Sequence, residues 1–366
     1  MNTRVIDNIL ACWSGLVRAT ASAVSRPRDQ RRTRLVAGLA LATPLLLTVA
    51  CHSNSPASER ADVPAHGGLI VFNNDPLTDA AKQLYLESAD GTHVRQLLHS
   101  TTDDVLPTIS PNGRHVVFSR ERQHGALPDQ IFEVGTNGQG LHRIIPGNCP
   151  VQTCGDAVEG HAYSPDGRRL AFSRAIFADG PQAPPTRVEL WICDLDGSHA
   201  RPLTHEYGKA QDDEASWSPD GHRIVFLHWV YGSPDQFQIA TIAADGTDMR
   251  IVTPNRLDGA DPSYSPQGDL ISFQSPPDPG AAPQVVYTVR PDGTGLTALS
   301  ASTGAAAFHP SWSPDGSKLL FCYIPVGQGH GADLATINRD GTDMHVLART
   351  AFNENGAFWG TGPGSI

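Results

Sequence analysis

Tyr163-Ser164-Pro165-Asp166-Gly167-Arg168-Arg169-Leu170-Ala171-Phe172 decides the fold, because it returns along the chain. Ile109-Ser110-Pro111-Asn112-Gly113 leads to Phe118, and Trp217-Ser218-Pro219-Asp220-Gly221 leads to Phe226. Tyr264-Ser265-Pro266-Gln267-Gly268 leads to Phe273, and Trp312-Ser313-Pro314-Asp315-Gly316 leads to Phe321. The Ser-Pro pairs at 110, 164, 218, 265 and 313 are spaced by 54, 54, 47 and 48 residues. A second half follows each one. It is an apolar run that closes on Asp-Gly or Asn-Gly, as in Leu190-Trp191-Ile192-Cys193 before Asp196-Gly197. The same turn stands at Asp90-Gly91, Asn137-Gly138, Asp245-Gly246, Asp292-Gly293 and Asp340-Gly341, and a short strand such as Arg201-Pro202-Leu203-Thr204 follows.

Proline presets φ for the first turn and glycine supplies the positive φ that ends it. Asp-Gly between apolar runs is a hairpin signal. Four antiparallel strands per repeat, at a period near 47 residues, point to an all-β propeller. One blade cannot bury both of its faces, so blades must stack around an axis. The ends complement each other. Gly67-Gly68-Leu69-Ile70-Val71-Phe72 is a second strand without a first, and Ala357-Phe358-Trp359-Gly360 is a first strand without successors. The reading is a six-bladed β-propeller whose N- and C-terminal strands share the closing blade. Such closure removes an edge that could nucleate aggregation, and a monomer is expected. The Phe and Trp of the pattern read as inter-blade core.

Composition agrees. Only 18% of the 366 residues are charged, while 35 are Gly and 29 are Pro, which suits short strands and many turns. The net charge is −11, and the first 51 residues hold seven Arg against two acids, leaving −16 on the rest. That balance excludes nucleic acid as a partner.

Residues 1–51 read as an export leader. Arg26, Arg28, Arg31, Arg32 and Arg34 precede an apolar stretch from Leu35 to Ala50 that is too short to span a membrane. Leu47-Thr48-Val49-Ala50-Cys51 resembles a bacterial lipoprotein signal, which implies lipidation of Cys51 and attachment to a membrane. An ordinary secretory signal and an uncleaved anchor are the other readings, and Arg31-Arg32 faintly resembles a twin-arginine signal. Residues 52–66 read as a flexible tether, and 67–366 as the propeller.

The Ser-Pro-Asp-Gly element, the Phe that follows it and the later Asp-Gly turn resemble the TolB-type propeller repeat over roughly residues 67–361. TolB is a periplasmic protein that binds partner proteins, including a peptidoglycan-associated lipoprotein, at its propeller. It carries an α/β domain before the propeller, for which the short tether leaves no room. The resemblance implies a periplasmic scaffold of the bacterial cell envelope, on the outer membrane, that binds a protein or ligand. It is specific for fold and weak for function, because propellers host many activities.

In propellers the first strand of each blade lines the central channel. The residues just ahead of each Ser-Pro are Asp104, Glu159 with His161, Asp212, Asp213 and Glu214, Asp258 with Asp261, and His309; Asn353, Glu354 and Asn355 precede the closing strand. They predict an acidic channel mouth with two histidines. It would suit a basic peptide segment of an envelope protein, or a divalent cation such as Ca²⁺. Alternatively, these acids accept hydrogen bonds from a neighbouring blade or face solvent. No cofactor is required. His161 and His309 keep open a metal-dependent, lyase-like enzyme, although they lack a short ligand spacing. Gly-x-Ser-x-Gly, a phosphate-binding Gly loop and His-Glu-x-x-His are absent, so a binding role is favoured over catalysis.

Cys149 and Cys154 lie in one loop and are expected to form a local disulfide in an oxidising compartment, with free thiols or a metal site as alternatives. Cys193 and Cys322 read as buried apolar residues. Insertions near 123–129, 147–156 and 177–185 are places where binding loops could sit.

Overall fold

A local hydrogen-bond circuit explains why the repeat begins as it does. Ser164 Oγ donates to Asp166 Oδ1 and accepts from the Arg169 amide, while Asp166 Oδ1 also accepts from the Arg168 amide. Gly167 closes the turn at φ 66°. Ser110 with Asn112, Ser218 with Asp220 and Ser313 with Asp315 repeat the circuit. Being bonded to these donors, the carboxyls of Asp166, Asp220 and Asp315 stay below their ordinary range. In three successive turns the glycine meets the proline of the turn before: a Cβ on Gly167 would lie 3.7 Å from Pro111, one on Gly221 equally far from Pro165, and one on Gly268 3.1 Å from Pro219. The motif therefore shapes its own hairpin and knits neighbouring sheets.

The computed structural model describes residues 67–75, 80–122, 127–144, 147, 154–177, 185–205, 210–230, 237–254, 257–277, 283–325, 331–347 and 353–363. The leader with Cys51, the tether, Cys149 and most of the three insertions lie outside them. Among the described residues no helix is long and apolar enough to cross a membrane.

The chain opens with β1 (Leu69–Asp75), β2 (Leu84–Ser88) and β3 (Arg95–Gln96). β4 (Asp104–Ile109), β5 (His115–Arg122), β6 (Leu127–Gly135) and β7 (His142–Arg143) form a four-stranded sheet. Then come β8 (Cys154–Tyr163), β9 (Arg169–Ile176), β10 (Arg187–Asp194), β11 (Arg201–Pro202), β12 (Ala210–Trp217), β13 (Arg223–Val230), β14 (Gln238–Ala243) and β15 (Arg250–Ile251), which belong to one eight-stranded sheet. β16 (Ala260–Tyr264), β17 (Ile271–Ser275), β18 (Val285–Val289) and β19 (Thr297–Ala298) make the next sheet. β20 (Ala306–Trp312), β21 (Lys318–Ile324), β22 (Asp333–Asn338) and β23 (His345–Val346) make another. β24 (Asn353–Gly360) returns to pair antiparallel with β1, giving the order β24-β1-β2-β3.

The fold is an all-β propeller. The expectation of six separate four-stranded blades is corrected: among the described residues there are four four-stranded sheets and one eight-stranded sheet. A single parallel pair, Val188 with Gln211, bridges β10 to β12 and joins two sets of four strands. The outermost strands β3, β7, β11, β15, β19 and β23 are each two residues long, and edges that short offer little template for a foreign strand.

Packing follows the repeat. Phe72, Phe118, Phe172, Phe226, Phe273 and Phe321 are all fully buried, and each contributes about 1.5–3 kcal/mol by leaving water. The indole N–H groups of Trp217 and Trp312 reach the carbonyls of Ala162 and Ser263 on the preceding inner strands. Trp359 fastens the closure differently: its Nε1 donates to the Gly67 carbonyl just ahead of β1 at 2.9 Å, and its amide donates to Ser311 Oγ on the preceding inner strand at 3.0 Å. Cys193 and Cys322 are buried and form no disulfide. Cys154 is engaged in a disulfide.

Candidate functional site: the channel ring

The innermost strands β4, β8, β12, β16, β20 and β24 all carry the same defect. Their pairing with the next strand slips between Val105 and Thr108, Asp156 and His161, Asp213 and Ser216, Ala260 and Ser263, and Phe308 and Ser311; β24 slips against β1 between Asn355 and Phe358. At each slip one residue takes positive φ: Leu106, Gly160, Glu214, Asp261, His309 and Gly356. A bulge inserts an unpaired residue and re-aims its side chain. These six residues line one shared cavity of about 140 Å³, room for a side chain rather than a drug-sized molecule.

Half of this ring is polar. Glu214 Oε2 accepts from the Asp261 amide at 2.5 Å, and Asp261 Oδ2 lies 2.9 Å from His309 Nδ1. The His309 amide donates to Gln274 Oε1 at 3.0 Å. One arc thus runs through three inner strands, with the Asp261 and His309 side chains 19% and 31% exposed to the channel. Leu106, Gly160 and Gly356 complete the ring with no polar side chain.

The other expected residues go elsewhere. Asp104 is wholly buried and receives both Nε and Nη2 of its cross-strand partner Arg120, whose guanidinium also lies over the Phe118 and Phe132 rings. Burial pushes the Asp104 carboxyl up, with Arg120 opposing. Asp212 is likewise buried against its cross-strand partner His228, Nδ1 to Oδ1 2.6 Å. Asp213 is buried and accepts from Gln211 Nε2. Asp258 accepts the Phe237 amide and Glu354 the Leu334 amide, each from the preceding sheet. Asp258 and Glu354 thus accept from a neighbouring sheet, whereas Asp104, Asp212 and Asp213 are bonded to side chains of their own sheet, and among the described side chains the acids of the ring are Glu214 and Asp261. Glu159 falls within β8.

His161 lines the cavity wall but is only 4% exposed. Its ring leans toward the Val117 carbonyl without a well-formed hydrogen bond, and burial pulls it down to about 4. It is a neutral imidazole pressed into a wall. Among the described residues no group of three or more His, Cys, Asp or Glu could hold a metal ion.

Once the bulges are known, the ring follows a fixed count in the sequence. Each left-handed residue stands four positions before the Ser of the repeat, and Gly356 stands four before Gly360, which takes that place in β24. Gln274 and Leu106 carry no chemical signature and are found only through the fold.

Residues 151–362 match the TolB beta propeller domain family. The chain is 27% identical over 229 residues to an uncharacterised protein of Agrobacterium fabrum, covering 60% of this chain and 69% of that protein. It is 30% identical over 179 residues to a TolB homologue of Chlorobium luteolum, covering 46% of this chain but only 37% of the relative's length. Among solved structures, TolB from Acinetobacter baumannii superposes with a TM-score of 0.63 at 17% identity, over 80% of this chain and 66% of that one. An oligogalacturonate lyase in complex with manganese superposes with a TM-score of 0.55 at 16% identity, over 79% of this chain and 76% of that one. At these identities the structural likeness speaks for the fold alone.

Proposed function

The chain belongs to the TolB β-propeller domain family, and from that membership we propose that it is an exported, Cys51-anchored binding scaffold of the bacterial cell envelope. In this reading the eight-stranded sheet counts as two blades, so six blades surround the channel. The scaffold holds a protein segment that inserts one cationic side chain among Glu214, Asp261 and His309. The observation that carries this is the one-sided arc. Its acids are partly exposed and joined to one another on a rigid wall, whereas the neighbouring acids are bonded into the sheets. A carboxylate pair in a narrow, half-dry cavity attracts a positive head group more strongly than the same pair in open water. The size of the cavity suits one inserted side chain better than a sugar.

The test uses the full chain and short peptides that differ only in one central residue, Lys, Arg or Leu, with affinity read by calorimetry. The Lys or Arg peptide should bind at least about tenfold more tightly than the Leu peptide, a difference of about 1.4 kcal/mol. Asp261→Asn with Glu214→Gln should erase that preference. Equal binding of the three peptides, or a preference that survives the double substitution, would remove the cationic-insert reading.

A further inference from the structure

Glu87 occupies a place that the repeat otherwise reserves for an apolar group. Three positions before the Asp or Asn of each outer turn stand Val134, Cys193, Ile242, Val289 and Ile337, each buried; in the closing sheet that residue is Glu87. It too is wholly buried, and neither of its carboxylate oxygens has a hydrogen-bond partner. Strand alternation puts it on the same face of β2 as Tyr85. That face packs on the cluster of Ile70, Phe72, Leu320, Leu334 and Trp359, which seals the closing sheet against its neighbour.

An unpaired carboxylate in such a place is costly, so the group holds its proton. Burial first, then the negative charges of Glu354 and Asp90, push its carboxyl up to about 8. Among the described residues, the titratable and charged groups on the surrounding elements offer it no counter-charge; Arg95 on β3 stands opposite Leu86, on the other face of the sheet, and donates to the Thr136 carbonyl. Glu354 on β24 is itself wholly buried and accepts the Leu334 amide. Asp90 is bound in its turn by Thr92. Tyr85 is raised by burial, as is Cys322, to about 12. Asp333 on β22 adds another buried acid. Lys318 and His345 on the packed sheet are drawn to Asp343.

We propose that Glu87 is a proton-dependent latch on the ring closure: neutral, it lets β24 stay sealed between two sheets; ionised, it sets an unsolvated negative charge beside Glu354 and loosens the closing strand. β24 also supplies Gly356, Ala357 and Phe358 to the channel wall, so a loosened strand opens the channel from one side. The folded state keeps the proton to higher pH than the unfolded chain does. The stability tied to Glu87 is therefore full below the ordinary glutamate value, falls as pH rises toward about 8 and is flat above it.

Hydrogen exchange on the full chain at pH 6 and pH 9, with protection corrected for intrinsic rates, tests the latch. Amides of β24 in the wild type should lose about tenfold or more of their protection relative to β16–β19. In Glu87→Val, which restores the type of residue used by the other repeats, and in Glu87→Gln, the closing strand should keep pace with β16–β19. The latch is overturned if the wild-type closing strand holds its protection at pH 9, or if β24 in either variant loosens as much as in the wild type. Glu87→Gln keeps the size of the side chain and decides the matter should the valine variant fold poorly.

Discussion

His161 and His309 occupy inner strands of two different sheets and touch the same cavity, yet they share almost nothing else. His309 stands four residues before the repeat's Ser, at the left-handed point of its bulge. It projects into the channel and pairs with Asp261. His161 stands three residues before its Ser, one place later. There the strand has resumed its pairing, opposite Phe172, and the ring is turned into the wall toward Val117. One residue of register separates a channel-facing group from a wall group, because successive side chains in a strand point to opposite sides. The buried acids Asp104 and Asp212 lie six positions before Ser110 and Ser218, two places ahead of the bulge, where the strand is still regularly paired, and they face their cross-strand partners. Residue type alone placed all of these groups at the mouth. Their position in the repeat divides them.

The sharpest way to break the comparison is acid. His161 is pulled down from its ordinary 6.5 to about 4 by burial. Its folded form therefore refuses a proton that the unfolded chain accepts. The stability it contributes is present above about 6.5 and is lost as pH falls toward 4. The span corresponds to about 3 kcal/mol. Chemical denaturation of the wild type and of His161→Leu between pH 7 and pH 4 should show the wild type losing about that much more. Glu87 slopes the opposite way, but it is common to both proteins and cancels in the difference. Parallel curves would mean that His161 is more hydrated than its place in the wall indicates.

The propeller was legible because its signals are local and repeated. Ser-Pro-Asp-Gly makes its own turn, the Asp-Gly turn makes another, and Phe recurs at the same distance, so five copies in series exclude most other folds. The closing strand was legible from Trp359, which keeps step with Trp312. The fusion of two strand sets was not, since it rests on one pair, Val188 with Gln211, at the beginnings of β10 and β12, and neither residue carries a signal for that pairing. The channel was legible only in outline. Nothing in a list of acids reveals a bulge. The six bulges come to light as a ring of left-handed residues in which Leu, Glu, Asp and His stand beside Gly. Glu87 was legible in principle, as the one acid in a column of Val, Cys and Ile, yet it sits far from the Ser-Pro element that draws the eye.

Gly356 and Leu106 sharpen the comparison within the silent half of the ring. Both are left-handed, at φ 53°. A Cβ on Gly356 would lie 2.7 Å from Asn73 Oδ1, on a side chain that is itself buried. Gly356→Ala should therefore cost about 1–2 kcal/mol, the sum of a left-handed alanine and a displaced Asn73. Leu106→Gly should move stability by less than about 1 kcal/mol. Relief of a strained φ is opposed there by the greater freedom of glycine in the unfolded chain and by the loss of a half-buried side chain. Thermal melts of the two variants decide the point. If both substitutions cost alike, packing of the Leu106 side chain outweighs the strain of its left-handed backbone, and local contacts set the residue at both positions. If Leu106→Gly is near neutral while Gly356→Ala is costly, local crowding by Asn73 fixes the glycine. The ring then tolerates any side chain the channel has room for, which leaves the polar arc as a choice made by what the channel holds.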